Sequence, residues 1–181
     1  MSNPSNQRRD DWGGRNDVPP PRITPEQLET IISGQSDSAV QELVRVAASI
    51  GEWLKRMDFS TSQIRNVFGV VREIEQRVKM EDQRNLTVSE PQEEETKEEE
   101  QLPPLPDGAY RDLVLLKPKL AYQYGRAGSE GKKSAREAMG LLQGVLSDAI
   151  DRVGRNRTRF TNFVQFFEAI LAYHRYYGGK N

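Results

Sequence analysis

The chain has 181 residues, with 26 Lys and Arg against 27 Asp and Glu, one His and no Cys. One domain is the default at this length. The missing cysteine excludes disulfides, thiolate metal sites and cysteine nucleophiles, and suits a reducing cytoplasm. The net charge of −1 hides an asymmetry. Residues 90–100 hold seven Glu against Lys97, whereas residues 101–181 hold thirteen Lys and Arg against seven Asp and Glu, a net of +6. A basic folded part carrying an acidic insert is expected. No apolar run is long enough to cross a membrane, and the N-terminus lacks the apolar core of a signal peptide.

Residues 1–22 are polar, with Gly, Pro and mixed charge, and are expected to be a disordered tail. Residues 23–181 are expected to form one helical-bundle domain, interrupted by an acidic Pro/Glu-rich linker over 81–107. Thr24-Pro25-Glu26-Gln27 is a helix start: a capping threonine, a proline in the first turn, and a glutamine three residues on. Leu28, Ile31 and Ile32 give it a short apolar face, and Gly34 ends it. Ser36 or Asp37 caps the next helix, whose apolar side reads Val40, Leu43, Val44, Ala47, Leu54 and Met57.

Ser60-Thr61-Ser62-Gln63 reads as a second capping box. The helix behind it is expected to bury Ile64, Val67, Phe68, Val71, Ile74 and Val78. Its flank carries Arg65, Arg72 and Lys79 at heptad spacing, a basic stripe about 20 Å long. From 81 to 107 like charges crowd together, and Leu102-Pro103-Pro104-Leu105-Pro106 denies the chain a helix, so a solvated linker is expected.

The fourth helix begins near Tyr110. Leu113, Leu116, Leu120 and Tyr124 form its apolar stripe. Lys119, Tyr122 and Arg126 lie opposite, with Arg111 a little further round. Lys119 and Arg126 are roughly 10 Å apart along the axis. Two cations and a phenol on one exposed face can follow a phosphodiester backbone, the ring being free to stack. Pro118 should bend this helix, and Gly125 suits its exit. A helix from Lys132 to Val153 follows, with Met139, Leu142, Val145, Leu146, Ala149 and Val153 facing the core. Lys132, Lys133 and Arg136 cluster at its start, against the helix dipole, which favours an anionic partner there. Arg152, Arg155, Arg157 and Arg159 surround a turn at Gly154-Arg155-Asn156.

The last helix, Arg159 to Tyr177, buries Phe160, Phe163, Val164, Phe167, Ile170 and Leu171. Phe166, Tyr173 and Tyr177 widen its apolar face beyond half the circumference, so it is either central or covered by another subunit. His174 sits on that face as a hydrogen-bonded packing residue. Without a second His or any Cys there is no metal set. No phosphate loop, nucleophile motif or strand is evident, so neither enzymatic activity nor a cofactor is expected.

Three phrases, in order, carry a resemblance: Thr61-Ser62-Gln63-Ile64-Arg65, then Leu116-Lys117-Pro118-Lys119-Leu120-Ala121-Tyr122 with Gly125-Arg126, then Phe163 to His174. Over roughly 36–80 and 108–178 the chain resembles the small α-helical subunit of type III-A CRISPR effector (Csm) complexes. That resemblance implies a non-enzymatic helical bundle, stacked beside guide-RNA backbone subunits along the path of the target RNA. It carries over Arg65, Lys117, Lys119, Tyr122 and Arg126 as RNA-facing. The tail and the acidic insert depart from the family pattern.

The expected fold is all-α, a compact bundle of five main helices plus a short N-terminal one. The expected function is a structural, RNA-binding subunit of an antiviral ribonucleoprotein. It would hold target RNA, or the guide–target duplex, by the backbone and pack against like and unlike effector subunits. The alternative is a helical protein-interaction module that uses its aromatic last helix and makes no nucleic-acid contact. A third reading is a nuclease accessory acting through a partner.

Overall fold

The computed structural model describes residues 18–88, 102–129 and 133–179. These form six helices and no strand: α1 (Pro25–Ser33), α2 (Asp37–Arg56), α3 (Thr61–Val88), α4 (Asp107–Ser129), α5 (Lys133–Val153) and α6 (Arg157–Tyr176). Their starts follow from local chemistry. Thr24 and Gln27 make both halves of the capping box on α1. The Ser36 hydroxyl accepts from the Ala39 N–H on α2, and the Ser60 hydroxyl accepts from the Ser62 N–H on α3. Asn156 caps α6 through the Arg159 N–H, after Gly154 turns the chain at φ +54.

One core joins all six helices. α6 packs against α1, α2, α3 and α5, so it is the central helix and its broad apolar face is used within the chain. Phe160, Phe163, Phe166 and Phe167 are all buried. Truncating any one to alanine would cost about 3–5 kcal/mol. α2 and α6 approach closely at Gly51, where a Cβ would lie 2.6 Å from the His174 backbone nitrogen and 2.8 Å from the Tyr173 Cβ. α3 and α4 run antiparallel: Arg77 pairs with Asp112 at one end, while Gln63 and Arg126 line the same cleft at the other.

Several expectations are corrected. α2 is rotated relative to its expected face: Val40 is 58% exposed and Val44 also reaches solvent, while Val46, Ile50 and Trp53 are buried. Apolar residues crowd this helix on more than one side, so its neighbours set the phase. α3 continues through Val88, past Met80 where the linker was expected to begin. The far end of the insert is docked rather than solvated: Leu105 is buried and its N–H donates to the Arg155 carbonyl at 2.8 Å. α4 runs through Pro118 and past Gly125 to Ser129. α6 begins at Arg157, two residues earlier than expected. Of the expected tail, residues 1–17 lie outside the described residues, and Val18 accepts a hydrogen bond from the Trp53 indole at 3.0 Å. Most of the acidic run, 89–101, also lies outside them. Among the described residues no helix is long and apolar enough to cross a membrane.

Candidate nucleic-acid interface

The apolar stripe of α4 faces inward as its spacing requires, with Leu113, Leu116 and Leu120 fully buried. That orientation sets Lys119, Tyr122 and Arg126 on the solvent side, where Tyr122 is 67% exposed. Beside them runs a groove between α3 and α4. One part, about 350 Å³, is mostly apolar and is lined by Val67 and Val70 on one wall and Leu116, Pro118, Lys119 and Tyr122 on the other. The next part, about 480 Å³, is polar and is lined by Asp58, Ser60, Gln63 and Arg126. Asn66 and Gln123 line both parts, so the two are continuous.

Lys119 makes no ion pair or hydrogen bond among the described residues. Lys117, two residues earlier, does not join it. It reaches to the α5 side and is held by both oxygens of Asp151 at 2.7 Å. Arg65 and Arg72 lie on the opposite flank of α3 from the groove. That flank packs Phe68 edge-on against Phe167 of α6, with Arg72 5.9 Å above the Phe68 ring. The expected basic stripe is also interrupted. Glu75 pairs with Arg72 at 2.6 Å and with Lys79 at 2.8 Å, leaving Arg65 as its one cation without an ion pair among the described residues. Lys133 is exposed and 3.7 Å from Glu137, and Arg136 lies 5.2 Å over the Tyr124 ring. Lys132 lies outside the described residues. The expected basic residues therefore occupy separate patches, and only Lys119, Tyr122 and Arg126 share the groove.

The expected interface on α6 also changes. Phe166 is completely buried, so it belongs to the chain's own core and not to an outer surface. Tyr173 and Tyr177 remain half-exposed, and Tyr176, 78% exposed, joins them. The three rings form a cap with centroids 5.2–6.5 Å apart. Their spacing of three and four along a helix was the signal that could have revealed Tyr176.

His174 secures the end of the groove from within. Its Nε2–H donates to the Phe59 carbonyl at 2.9 Å, and the Thr61 hydroxyl lies 3.4 Å from Nδ1. A carbonyl only accepts, which fixes the Nε2–H tautomer and leaves Nδ1 to accept from Thr61. Burial pushes the His174 pKa down, partly offset by the Phe59 hydrogen bond. The imidazole is thus a neutral packing group, as its sequence position suggests, and it holds the turn carrying Asp58 and Ser60. Asp58 itself sits at φ +54, a left-handed conformation that Asp tolerates. Asp58, Gln63, Asn66 and Gln123 were not anticipated, because isolated polar residues leave no periodic trace in a sequence.

A family model described as Csm2 Type III-A matches residues 37–180, from the first turn of α2 past the end of α6. No curated protein and no solved structure matches. The match covers most of the chain, including both walls of the groove and the tyrosine cap. The chain therefore belongs to the Csm2 Type III-A family and is a structural subunit of the type III-A CRISPR effector.

Proposed function

We propose that this subunit binds RNA without catalysing a reaction, holding guide-paired target RNA along the α3–α4 groove by sequence-independent backbone contacts in antiviral defence. The observation that carries the reading is Lys119, a cation with no ion pair among the described residues, next to the exposed Tyr122 ring on the rim of a continuous groove. Cations neutralise phosphates and an exposed aromatic ring stacks on a base of any identity. Sequence would be read by guide–target pairing, a division of labour known from a DNA-targeting effector.

The test replaces Lys119 and Arg126 with alanine. Affinity should fall about equally for unrelated RNA sequences. The dependence of log affinity on log salt should flatten by about 0.7 for each phosphate of a single strand that is no longer neutralised. Parental affinity and slope in the double variant would remove the groove from the RNA path and favour the protein-interaction module.

The tyrosine cap supports a second, compatible role. Tyr173, Tyr176 and Tyr177 would pack against neighbouring effector subunits, including other copies of this chain. Replacing Tyr176 and Tyr177 with serine should lower the sedimentation-derived mass while leaving helicity intact. Loss of helicity would mean that the rings belong to the fold itself.

A further inference from the structure

We propose that Gln63, Asn66 and Gln123 form a ribose-reading strip, which accepts and donates hydrogen bonds to the 2′-hydroxyls of RNA and so lets the groove discriminate RNA from DNA. This rests on the groove being an RNA path and assigns a chemistry to its polar end.

The three amides come from two helices and converge on one cleft. None of their side chains hydrogen-bonds to another group among the described residues. Several amides elsewhere in the chain do structural work. Gln27 donates to Glu42 at 2.8 Å, Asn162 donates to the carbonyls of Ile32 and Gly34 at 3.0 Å, and Asn156 caps α6. Gln35, Gln41, Gln76, Gln83 and Gln165 are also unbonded among the described residues but lie singly on the exposed surface. The groove instead gathers three amides in one cleft, each with a donor and an acceptor and no charge.

An uncharged side chain adds nothing to counterion release, so these residues do not strengthen a purely electrostatic grip. Their value lies in meeting a group that itself donates and accepts. Along a nucleic-acid backbone, phosphate and ring oxygens only accept, and the 2′-hydroxyl does both. Asp58 at the same end sharpens the choice. Its carboxylate repels a phosphate and accepts a hydrogen bond from a hydroxyl. Arg126 and Lys119 stand along the α4 wall for the phosphates, so the groove pairs a cationic rim with a hydroxyl-compatible floor. Base edges could also meet amides, but that would make binding depend on sequence.

The experiment uses the full chain and three labelled strands of one sequence: RNA, its 2′-fluoro form, and DNA. The 2′-fluoro strand keeps the charge and sugar pucker of RNA and removes the hydroxyl donor. The parent should bind RNA about 5–20-fold more tightly than either analogue, the range expected from one or two hydrogen bonds. A variant with Gln63→Ala, Asn66→Ala and Gln123→Ala should bind all three strands alike, with the parental salt slope, because no charge is removed. Equal binding of the three strands by the parent, or a hydroxyl preference that survives in the variant, overturns the strip alone. A variant that changes the ranking of A-rich and U-rich strands assigns the amides to base edges and also overturns it. No binding of any strand by the parent, either alone or paired with a complementary guide RNA, overturns the groove reading together with the strip.

Discussion

Two parts of this molecule are rich in cations, and they use them in opposite ways. At the corner between α5 and α6 every arginine is engaged. Arg152 and Arg159 both reach Glu29 of α1, at 3.5 Å and 3.9 Å. Arg155 pairs with Asp107 at 2.5 Å and lies 4.5 Å over the Tyr110 ring. Arg157 is buried, pairs with Asp82 and lies 3.5 Å from the Pro104 carbonyl. In the α3–α4 groove, by contrast, Lys119 has no partner among the described residues and stands beside three unbonded amides. The two regions show that a count of basic residues predicts an anion site only after internal pairs are removed. The corner uses its charge to fasten the chain to itself.

Arg157 shows what the fastening achieves. Asp82 lies shortly before the undescribed 89–101 segment and Pro104 shortly after it, so one guanidinium holds the chain on both sides of the insert. Replacing Arg157 with methionine is the largest effect expected from changing a charge in either region. It leaves the Asp82 carboxylate without its partner. The expected cost is about 2–4 kcal/mol, toward the low end for a buried pair because Asp82 is a third exposed. Melting should fall by about 5–15 °C. The RNA salt slope should not move, and a slope that flattens as in the Lys119 variant would erase the contrast between the two regions. A protease site built into 89–101 should, once cut, leave the two halves associated, since they share one core. Separation without denaturant would refute the single domain.

The corner also marks where the sequence stops being legible. Six helices, the caps of the first three and most core positions follow from spacing and capping chemistry, because both are local. At α3, however, Ser60 accepts from the Ser62 N–H and the expected Gln63 half of its capping box is not formed. Arg157 and Asp82 are 75 residues apart and Arg155 and Asp107 are 48 apart, so no periodicity announces these pairs. The same cause misplaced Phe166. Its burial depends on α6 being central, a property of the assembled bundle and not of the helix. In the groove, Lys119, Tyr122 and Arg126 were legible as one face of one helix. Gln63 and Asn66 of α3 join Gln123 of α4 as a site only when the two helices are brought side by side.

A smaller effect is expected from pH, and it should act through the groove end. His174 has a folded pKa below its ordinary value of 6.5. The unfolded chain therefore binds the proton more readily, and stability from this group is complete above about 6.5 and declines as pH falls toward the folded pKa. Urea midpoints measured from pH 7.5 down to 5.5 should fall more steeply for the parent than for a His174→Gln variant, which has no group to titrate there. Equal slopes would mean that His174 titrates alike in both states.

The smallest expected effect concerns the far flank of α3 and tests how broad the bound RNA is. A helix with its side chains is about 10 Å across. A single strand lying in the groove touches one flank of α3, whereas a guide–target duplex is broad enough to pass over the helix to Arg65. If the duplex is bound, Arg65→Ala should flatten its salt slope by roughly 0.7–0.9, the value of one neutralised phosphate. It should leave single-strand binding unchanged. Arg72→Ala should do less on either substrate, because Glu75 already neutralises Arg72 and Lys79. The reverse change separates pairing from position. Glu75→Gln frees both cations and should steepen the duplex slope if that flank faces RNA. Surface pairs of this kind contribute about 0–1 kcal/mol, so the fold should tolerate the change. A duplex slope indifferent to Arg65 and Glu75 alike would confine the RNA to the groove side of α3 and mark the far flank as ordinary solvated surface.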